Sequence, residues 1–429
     1  MHLLVDAICA CCIVLLTPGE VSVEVVWLCV AYNVLAFMTQ PLTGWAVDSG
    51  HIRGALWIAV ALLMCAGALN DEGMKDWGMK DEGMNDWGMI DWGIIVLLGL
   101  GNSLFHVWGG RSVARRSGND MRHLGVFVST GALGLMLGSR CASTGLLWGL
   151  LAMLALTAVA YAWRERRCVP LAEDAEREPR TVAASGGVSW GLMGLLMLLV
   201  MLRSLYGQLV PTEARGLSDY ALLATVLAFV AKAGGGWLGL RWGTWRSLTV
   251  ALLTAGTAML CGALGGTMGA MAMLLMVVAI NVTMPMTLHL MNGLLRGREG
   301  LSFGLLAAAL MPGVGLSLLP IDWPMLYALT ATMVIEALVL LALRERRWQV
   351  LGASVAMNIV TNLCLNALIL YGMDHYPTWP LLTALELLVC AVEAVGYYAV
   401  MRDWKRAAVY AVCCNGASCL VSCCAMLMC

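Results

Sequence analysis

The chain has 429 residues, 60% of them hydrophobic and 12% charged, with a formal net charge of −1. That is about half the charge of an ordinary soluble domain, too little to cover a soluble protein of this length. The near-neutral charge by itself says nothing about nucleic acid, and no nucleic-acid partner is expected.

The hydrophobic residues fall in runs of about 17–26 residues, the length at which a helix crosses a hydrocarbon core of roughly 30 Å. Only helices and closed barrels satisfy their backbones in lipid. The runs are rich in Leu, Ala, Met and Val and lack period-two alternation, so the fold class expected is an all-α polytopic membrane protein. Spans are expected near 2–18, 22–47, 52–69, 89–108, 123–139, 143–163, 188–211, 219–240, 247–265, 268–291, 301–319, 324–343, 349–373, 379–401 and 407–429. Basic residues test that reading, because Lys and Arg accumulate in cytoplasmic loops. With the N-terminus cytoplasmic, the outside loops hold only Lys75, Lys80, Arg140 and Arg215, while Arg203 and Lys232 lie inside spans. The remaining twenty of the 26 basic residues fall in inside loops. A miscounted span would invert every later loop. Fifteen spans in the plasma (inner) membrane, with the C-terminus outside, is the consistent reading, and the lipid bilayer is the partner it requires.

Span 1 opens with His2 and Asp6, four apart and on one helix face. A polar pair at the edge of so short a span leads us to expect that the native chain begins upstream. Span 2 carries Asn33 and Gln40, seven apart. It is followed by Gly44-Trp45-Ala46-Val47-Asp48-Ser49-Gly50-His51-Ile52-Arg53-Gly54. Small residues there permit close helix approach, and the acid Asp48 near a helix end shares its loop with the base Arg53. The outside segment 70–93 is a tandem array of pentapeptides with Asp at 71, 76, 81, 86 and 91. It can be read as an acidic metal-binding or adhesive loop. A low-complexity linker is the preferred reading, since a five-residue period matches neither helix nor strand. Span 4 contains Gly101-Asn102-Ser103-Leu104-Phe105-His106, with Asn102 and His106 one turn apart.

The charged segment 164–187 then divides the first twelve spans into six and six. The expected organisation is a six-helix bundle at 1–163, a cytoplasmic linker at 164–187, a second six-helix bundle at 188–345 and a three-helix extension at 346–429. In the second bundle, Arg203, Tyr206 and Gln208 lie on span 7 and Lys232 on span 8. Asn281 and His289 flank Pro285 on span 10. Ionisable groups within spans cost about 2.5–3.5 kcal/mol each on insertion scales and tend to face a cavity or a partner. Acids in one half and bases in the other suit a central site between repeats. Each residue also has a plainer reading: interfacial placement for His2 and Asp6, helix–helix hydrogen bonds for Asn102 and His106, snorkelling for Lys232, packing for Asn281 and His289. Between spans 8 and 9 stands Gly236-Trp237-Leu238-Gly239-Leu240-Arg241-Trp242-Gly243, the position equivalent to the loop after span 2. Gly234-Gly235-Gly236, Gly265-Gly266 and Pro312-Gly313-Val314-Gly315 permit bending.

In the extension, Asn358, Asn362 and Asn366 form an i, i+4, i+8 stripe on span 13, and Glu386 and Glu393 share a face of span 14. Such amides and carboxyls can hold these helices together, dock them on the core, or form a second polar site. Of sixteen Cys, all but Cys168 lie in or at the ends of apolar runs, where a Cys is a small buried residue. Neither a disulfide framework nor a metal or cofactor is expected.

The two loop segments resemble the Gly-x-x-x-Asp-Arg-x-Gly signature of the major facilitator superfamily, found between helices 2 and 3 and again between 8 and 9. The first copy keeps Gly44 and Asp48 with Ser49 at the Arg position. The second keeps Gly236, Arg241 and Gly243 with Leu240 at the Asp position. The resemblance implies an alternating-access fold over about residues 1–345, with Gly44, Asp48, Arg53, Gly236, Arg241 and Gly243 in gating loops. His2-x-x-x-Asp6 and Gly101 to His106 are similar to features of the branch that holds fosmidomycin-resistance exporters, although Val107 stands where that branch has Pro. No family resemblance covers the last three spans.

The reading that follows is a secondary active transporter moving a small solute, with a carboxylate or His able to carry a coupling proton. No nucleotide-binding loop and no metalloprotease or hydrolase motif is present, so an enzyme is not expected. The alternative is a non-transporting scaffold or sensory subunit that retains the transporter frame.

Overall fold

The computed structural model describes residues 1–17, 23–70, 89–118, 120–168, 190–213, 220–262, 266–317, 323–347, 349–355, 357–358, 361–362, 365 and 379–428. Residues 71–88 of the pentapeptide array, the linker beyond Cys168, and Asn366 lie outside them. All regular structure among the described residues is helical. Helix α1 is His2–Leu16. Helix α2 joins Val23–Asn33, a π-helical stretch Val34–Met38 and Gln40–Asp48. Then come α3 (Ala55–Leu69), α4 (Met89–Ser117), α5 (Met121–Arg140) and α6 (Thr144–Cys168). They are followed by α7 (Trp190–Glu213), α8 (Tyr220–Trp242), α9 (Thr244–Gly262) and α10 (Gly266–Leu294). Helix α11 is broken into Glu299–Ala308 and Leu310–Ser317, and α12 is Trp323–Ala342. Helix α13 comprises the helical residues between 349 and 365, and α14 (Trp379–Met401) and α15 (Trp404–Met428) complete the chain.

Every expected span falls on a described helix, the thirteenth in part. Seven of these helices are long and apolar enough to cross a membrane, and the chain is an integral membrane protein. Contacts group it into two units. One is Met1–Ser189, Val200–Ala251 and Val277–Gly315; the other is Trp190–Leu199, Leu252–Met276 and Leu316–Cys429.

In the first unit, Val5, Ile8, Leu63, Ile94, Leu98, Phe105, Leu147, Leu151 and Leu154 form a continuous buried core. In lipid, helices associate by close packing rather than by hiding from water, so small residues at crossings decide which ones meet. Helix α5 shows this. Its Gly131, Gly134 and Gly138 lie on one face, with the backbone of α1 directly on Gly134 and Gly138 and the His2 and Asp6 side chains on Gly131. A side chain at Gly134 would meet Asp6 Cβ at 3.1 Å, and one at Gly138 would meet Ala10 Cβ at 2.9 Å. Two further crossings are glycine to backbone. On α2 and α11, a Cβ at Gly44 would lie 2.9 Å from Leu301 N, and one at Gly300 would lie 3.0 Å from Gly44 O. On α5 and α8, a Cβ at Gly125 would lie 2.8 Å from Lys232 O, and one at Gly236 would lie 2.6 Å from Met121 O.

The prolines inside spans are accommodated locally. Pro41 follows the π-helical stretch of α2, where Thr39 Oγ1 donates to Leu35 O (2.6 Å) and Gln40 Nε2 donates to Ala36 O (2.8 Å). Side-chain donors thus satisfy carbonyls that a proline-interrupted ladder releases. Around Pro285 in α10, Asn281 Nδ2 donates to Val277 O (2.8 Å) and Thr283 Oγ1 to Ile280 O (2.6 Å).

The second unit has its own core of Leu340, Val350, Tyr397, Ala407, Tyr410, Ala411 and Cys414, drawn from α12 to α15. Just beyond α12, Glu345 accepts from Arg347 Nη2 (2.6 Å) and from Tyr410 OH (3.1 Å). The hydrogen bond and charge of Arg347 hold the Glu345 carboxyl at about 2.

Two outcomes follow from this packing. Gly134→Val drives α1 off α5 and costs about 1–3 kcal/mol, the range for overpacking; a fluorescence melt of the detergent-solubilised protein reads it. Because the Glu345 carboxyl is depressed on folding, its stabilisation is complete above the ordinary carboxyl range. It is lost as pH falls through about 2. Glu345→Gln is expected to lower the melting temperature near neutrality and to shrink that acid-side loss.

Candidate functional site

The glycine face of α5 seats α1 so that its first turn meets α4. His2, Asp6 and His106 are buried there together. His2 Nδ1 lies 2.5 Å from Phe127 O, and His106 Nδ1 lies 2.9 Å from Asn102 O. A carbonyl oxygen only accepts, so its partner nitrogen carries hydrogen in each ring; the tautomers are assigned from these partners. Both Nε2 atoms then point inward, 2.9 Å from one another. Asp6 Oδ2 is 3.3 Å from His2 Nε2, and Asp6 Oδ1 is 3.4 Å from His106 Nε2. Two bare lone pairs at that distance repel. One proton placed between them would form a hydrogen bond, with the Asp6 carboxylate beside it as counter-charge. Phe127 stacks on His2 at 4.4 Å between ring centroids and covers the cluster.

The same three side chains have the donor types of a transition-metal site. Two nitrogens on a tetrahedral zinc stand about 3.3 Å apart, so the 2.9 Å separation fits a shared proton better.

Lys232 on α8 lies within electrostatic reach of Asp6 and of Arg203 on α7. The cluster thus extends from α1 and α4 to two cations of the later helices. Tyr206 is buried one turn beyond Arg203; the side chain of Gln208 lies outside the described residues. Asn33 Nδ2 donates to its own helix at Cys29 O (2.7 Å), as Asn281 does at Val277 O. Gln40 and Asn102 are buried, and their side-chain oxygens accept no hydrogen bond among the described residues. His289 is half-buried on α10.

A second assembly joins the end of α2 to the start of α11. Asp48 Oδ2 accepts from Leu301 N (2.8 Å) and Oδ1 from Gly300 N (3.2 Å). Helix α11 has no side-chain cap of its own, so Asp48 supplies one from another helix. Arg111 at the end of α4 donates from Nε to Asp48 Oδ1 (2.9 Å), and four residues on Arg115 pairs with Glu299 (3.0 Å). Arg53 instead lines a neighbouring cleft of about 410 Å³ with Trp57, Trp108 and Tyr161. At the equivalent crossing, Gly236 packs on α5, while Arg241 and Gly243 are exposed.

In the second unit, Asn358 and Asn362 share one face, joined by an Asn362 Nδ2 to Asn358 Oδ1 bond of 3.2 Å. Glu393 is buried and Glu386 half-buried on α14; Asn366 is outside the described residues. Arg111, Glu336 and Asn415 join these sites without having been picked out from the sequence. Arg111 carried a signal in its place, the end of span 4 beside the loop that follows span 2. Glu336 carried another, as the one acid within span 12.

No family model matches the sequence, and no curated protein does. Among solved structures the chain is similar to the E. coli fucose:proton symporter FucP, at 12% identity with a TM-score of 0.49, over 85% of this chain and 94% of that one.

Asp48→Ala removes the cap of α11 and should weaken the α2–α11 contact by about 1–2 kcal/mol. Ser302 is fully buried beside that contact. A Ser302→Cys reporter should therefore react several-fold faster with a water-soluble maleimide when Asp48→Ala is added. An unchanged rate means the cap does not hold this face shut.

Proposed function

We propose that the protein is a proton-coupled secondary transporter of the major facilitator type, moving a small solute across the membrane by alternating access. The observation that carries the reading is the buried His2–Asp6–His106 cluster, whose geometry calls for one shared proton. A carboxylate and two imidazoles that exchange a proton with either side of a membrane are the chemistry of a coupling site. The residues behind the likeness to the fosmidomycin-resistance branch, His2, Asp6, Phe105 and His106, are among those that meet here.

The two glycine crossings support the repeat frame. Adding six to a helix number turns the α2–α11 crossing into the α8–α5 crossing, and both are glycine-to-backbone contacts. That correspondence is expected of two bundles at 1–163 and 188–345, related by a pseudo-twofold axis, with 346–429 appended. Asp48, Arg111 and the α11 N-terminus act as the latch of the cytoplasmic face, given a cytoplasmic N-terminus. Arg203 and Lys232, with no carboxylate salt-bridged to either among the described residues, favour a solute that carries negative charge. The solute site lies between the proton cluster and these two cations.

A second reading has one observation in its favour: Leu240 replaces the acid in the second loop copy. A scaffold or sensory subunit can tolerate that loss.

Reconstitution in proteoliposomes separates the two. Under an imposed pH gradient, a panel of small carboxylates and phosphates is screened for accumulation. The transporter reading expects driven accumulation of at least one anion. Asp6→Asn should abolish the response to the pH gradient while leaving counterflow exchange. Arg203→Ala should raise KM by about tenfold or more, the worth of one charged hydrogen bond. Transport that is indifferent to both substitutions removes this site, and a wild type inert to the whole panel turns the reading to the scaffold.

A further inference from the structure

The second unit holds two buried carboxyls to which the proton cluster of His2, Asp6 and His106 gives no role. Glu336 on α12 and Glu393 on α14 are 0% and 1% exposed. Glu336 Oε2 accepts from Ser354 Oγ (2.9 Å) and from Asn358 Nδ2 (2.5 Å), both on α13. Glu393 Oε1 accepts from Thr361 Oγ1 (3.2 Å), also on α13, and Oε2 accepts from Asn415 Nδ2 on α15 (2.6 Å). Four helices therefore aim their polar side chains at one interior. Every one of these donors is neutral.

The charge balance makes the arrangement unusual. The titratable groups set against the two carboxyls are Glu386, Cys390 and Tyr397 from α14 and Cys414 from α15. All are acids. No Lys, Arg or His of the described residues forms an ion pair with Glu336 or Glu393; the nearest such pair along the chain, Glu345 with Arg347, is closed on itself. An uncompensated carboxylate in an apolar bundle is far too costly to persist, and two sharing a site repel as well. The interior must therefore take up positive charge from outside. Glu336 Oε1 marks the place, since it is buried and meets no hydrogen-bond donor or acceptor among the described residues. A purely structural glutamic acid would aim that atom at an acceptor for its own proton.

We propose that Glu336 and Glu393 form a cation site of their own in the C-terminal helices, taking up one small hard cation, a proton or Na⁺, with Glu336 Oε1 as the open ligand atom. The carboxylates with the Asn358 and Thr361 oxygens are hard donors that suit both occupants, and among the described residues no imidazole or fixed base pairs with either carboxyl as a rival charge. Release of the cation leaves the two carboxyls in repulsion across α12 and α14. Occupancy thereby sets how tightly these helices close, independently of the His2–Asp6–His106 cluster.

The test uses the intact wild-type protein and an apolar carbodiimide, which attacks carboxyls only when they are protonated and buried. Labelling is mapped by mass spectrometry across a pH series, in sodium chloride and in choline chloride at equal ionic strength. A proton occupant is expected to give labelling of Glu336 or Glu393 that falls several-fold as pH rises. A sodium occupant is expected to give labelling in choline that sodium suppresses several-fold. Either outcome supports the site. Absence of adduct at both positions in choline at every pH, or an adduct yield indifferent to pH and sodium, overturns it. Glu336→Gln, which keeps the amide-sized side chain, should abolish the pH or sodium response at Glu393; a response left intact there also overturns the shared site.

Discussion

Backbone-to-backbone contact at glycine is the constraint on which the rest of this structure depends. In lipid, two apolar helices gain little by leaving the hydrocarbon for one another. They gain dispersion and weak Cα–H contacts where their axes come close, and only a residue without a Cβ permits that. Gly131, Gly134 and Gly138 bring α1 onto α5, and so carry Asp6 to His106. Gly44 and Gly300 bring α2 onto α11, and so carry Asp48 to two backbone amides. Each of these two polar sites is the by-product of a glycine crossing. Remove the crossing and the same side chains face lipid.

The low dielectric that makes the crossings matter also sorts the charges. In the first cluster two imidazole nitrogens meet beside one carboxylate. Glu345 and Arg347 form a direct pair outside the spans, with Tyr410 completing the carboxylate's hydrogen bonds. Arg203 with Lys232, and Glu336 with Glu393, are the two groups in which like charges gather instead. The two groups are opposite in sign. A membrane protein built only to persist would gain by replacing both groups with apolar residues.

Helix positions were legible in the sequence because apolar run length and basic-loop asymmetry are properties of the chain alone. Site membership was legible only where residues sit a turn apart, as His2 with Asp6 and Asn102 with His106. Asn33 and Asn281 looked alike to them in sequence, yet each amide turns back to the carbonyl four residues before it. An Asn within a helix always has that acceptor in reach, and nothing local says which way it turns. Arg53 shares a loop with Asp48, but the guanidinium on Asp48 comes from Arg111, 63 residues away. That exchange depends on α4 ending beside α2, a tertiary fact. Glu336 was passed over because one acid in an apolar run has no periodic companion; its companions sit on α13.

The two glycine crossings differ in how their helix starts are capped, and the difference follows from one substitution. At the first, Asp48 of α2 caps α11, which has no side-chain cap of its own. At the second, Leu240 occupies the position equivalent to the acid, and α5 is capped instead by its own Asp120, which accepts from Arg122 N (2.9 Å). The Arg122 side chain holds that carboxyl at about 2, so the cap is ionised at any ordinary pH. Parting α2 from α11 therefore strips a helix terminus of its cap, whereas parting α8 from α5 leaves the cap of α5 intact. The helix start at the second crossing is therefore not bare; its cap comes from the same helix rather than from the neighbouring one. One glycine crossing is thus tied by a cap that spans the two helices, and the other is not.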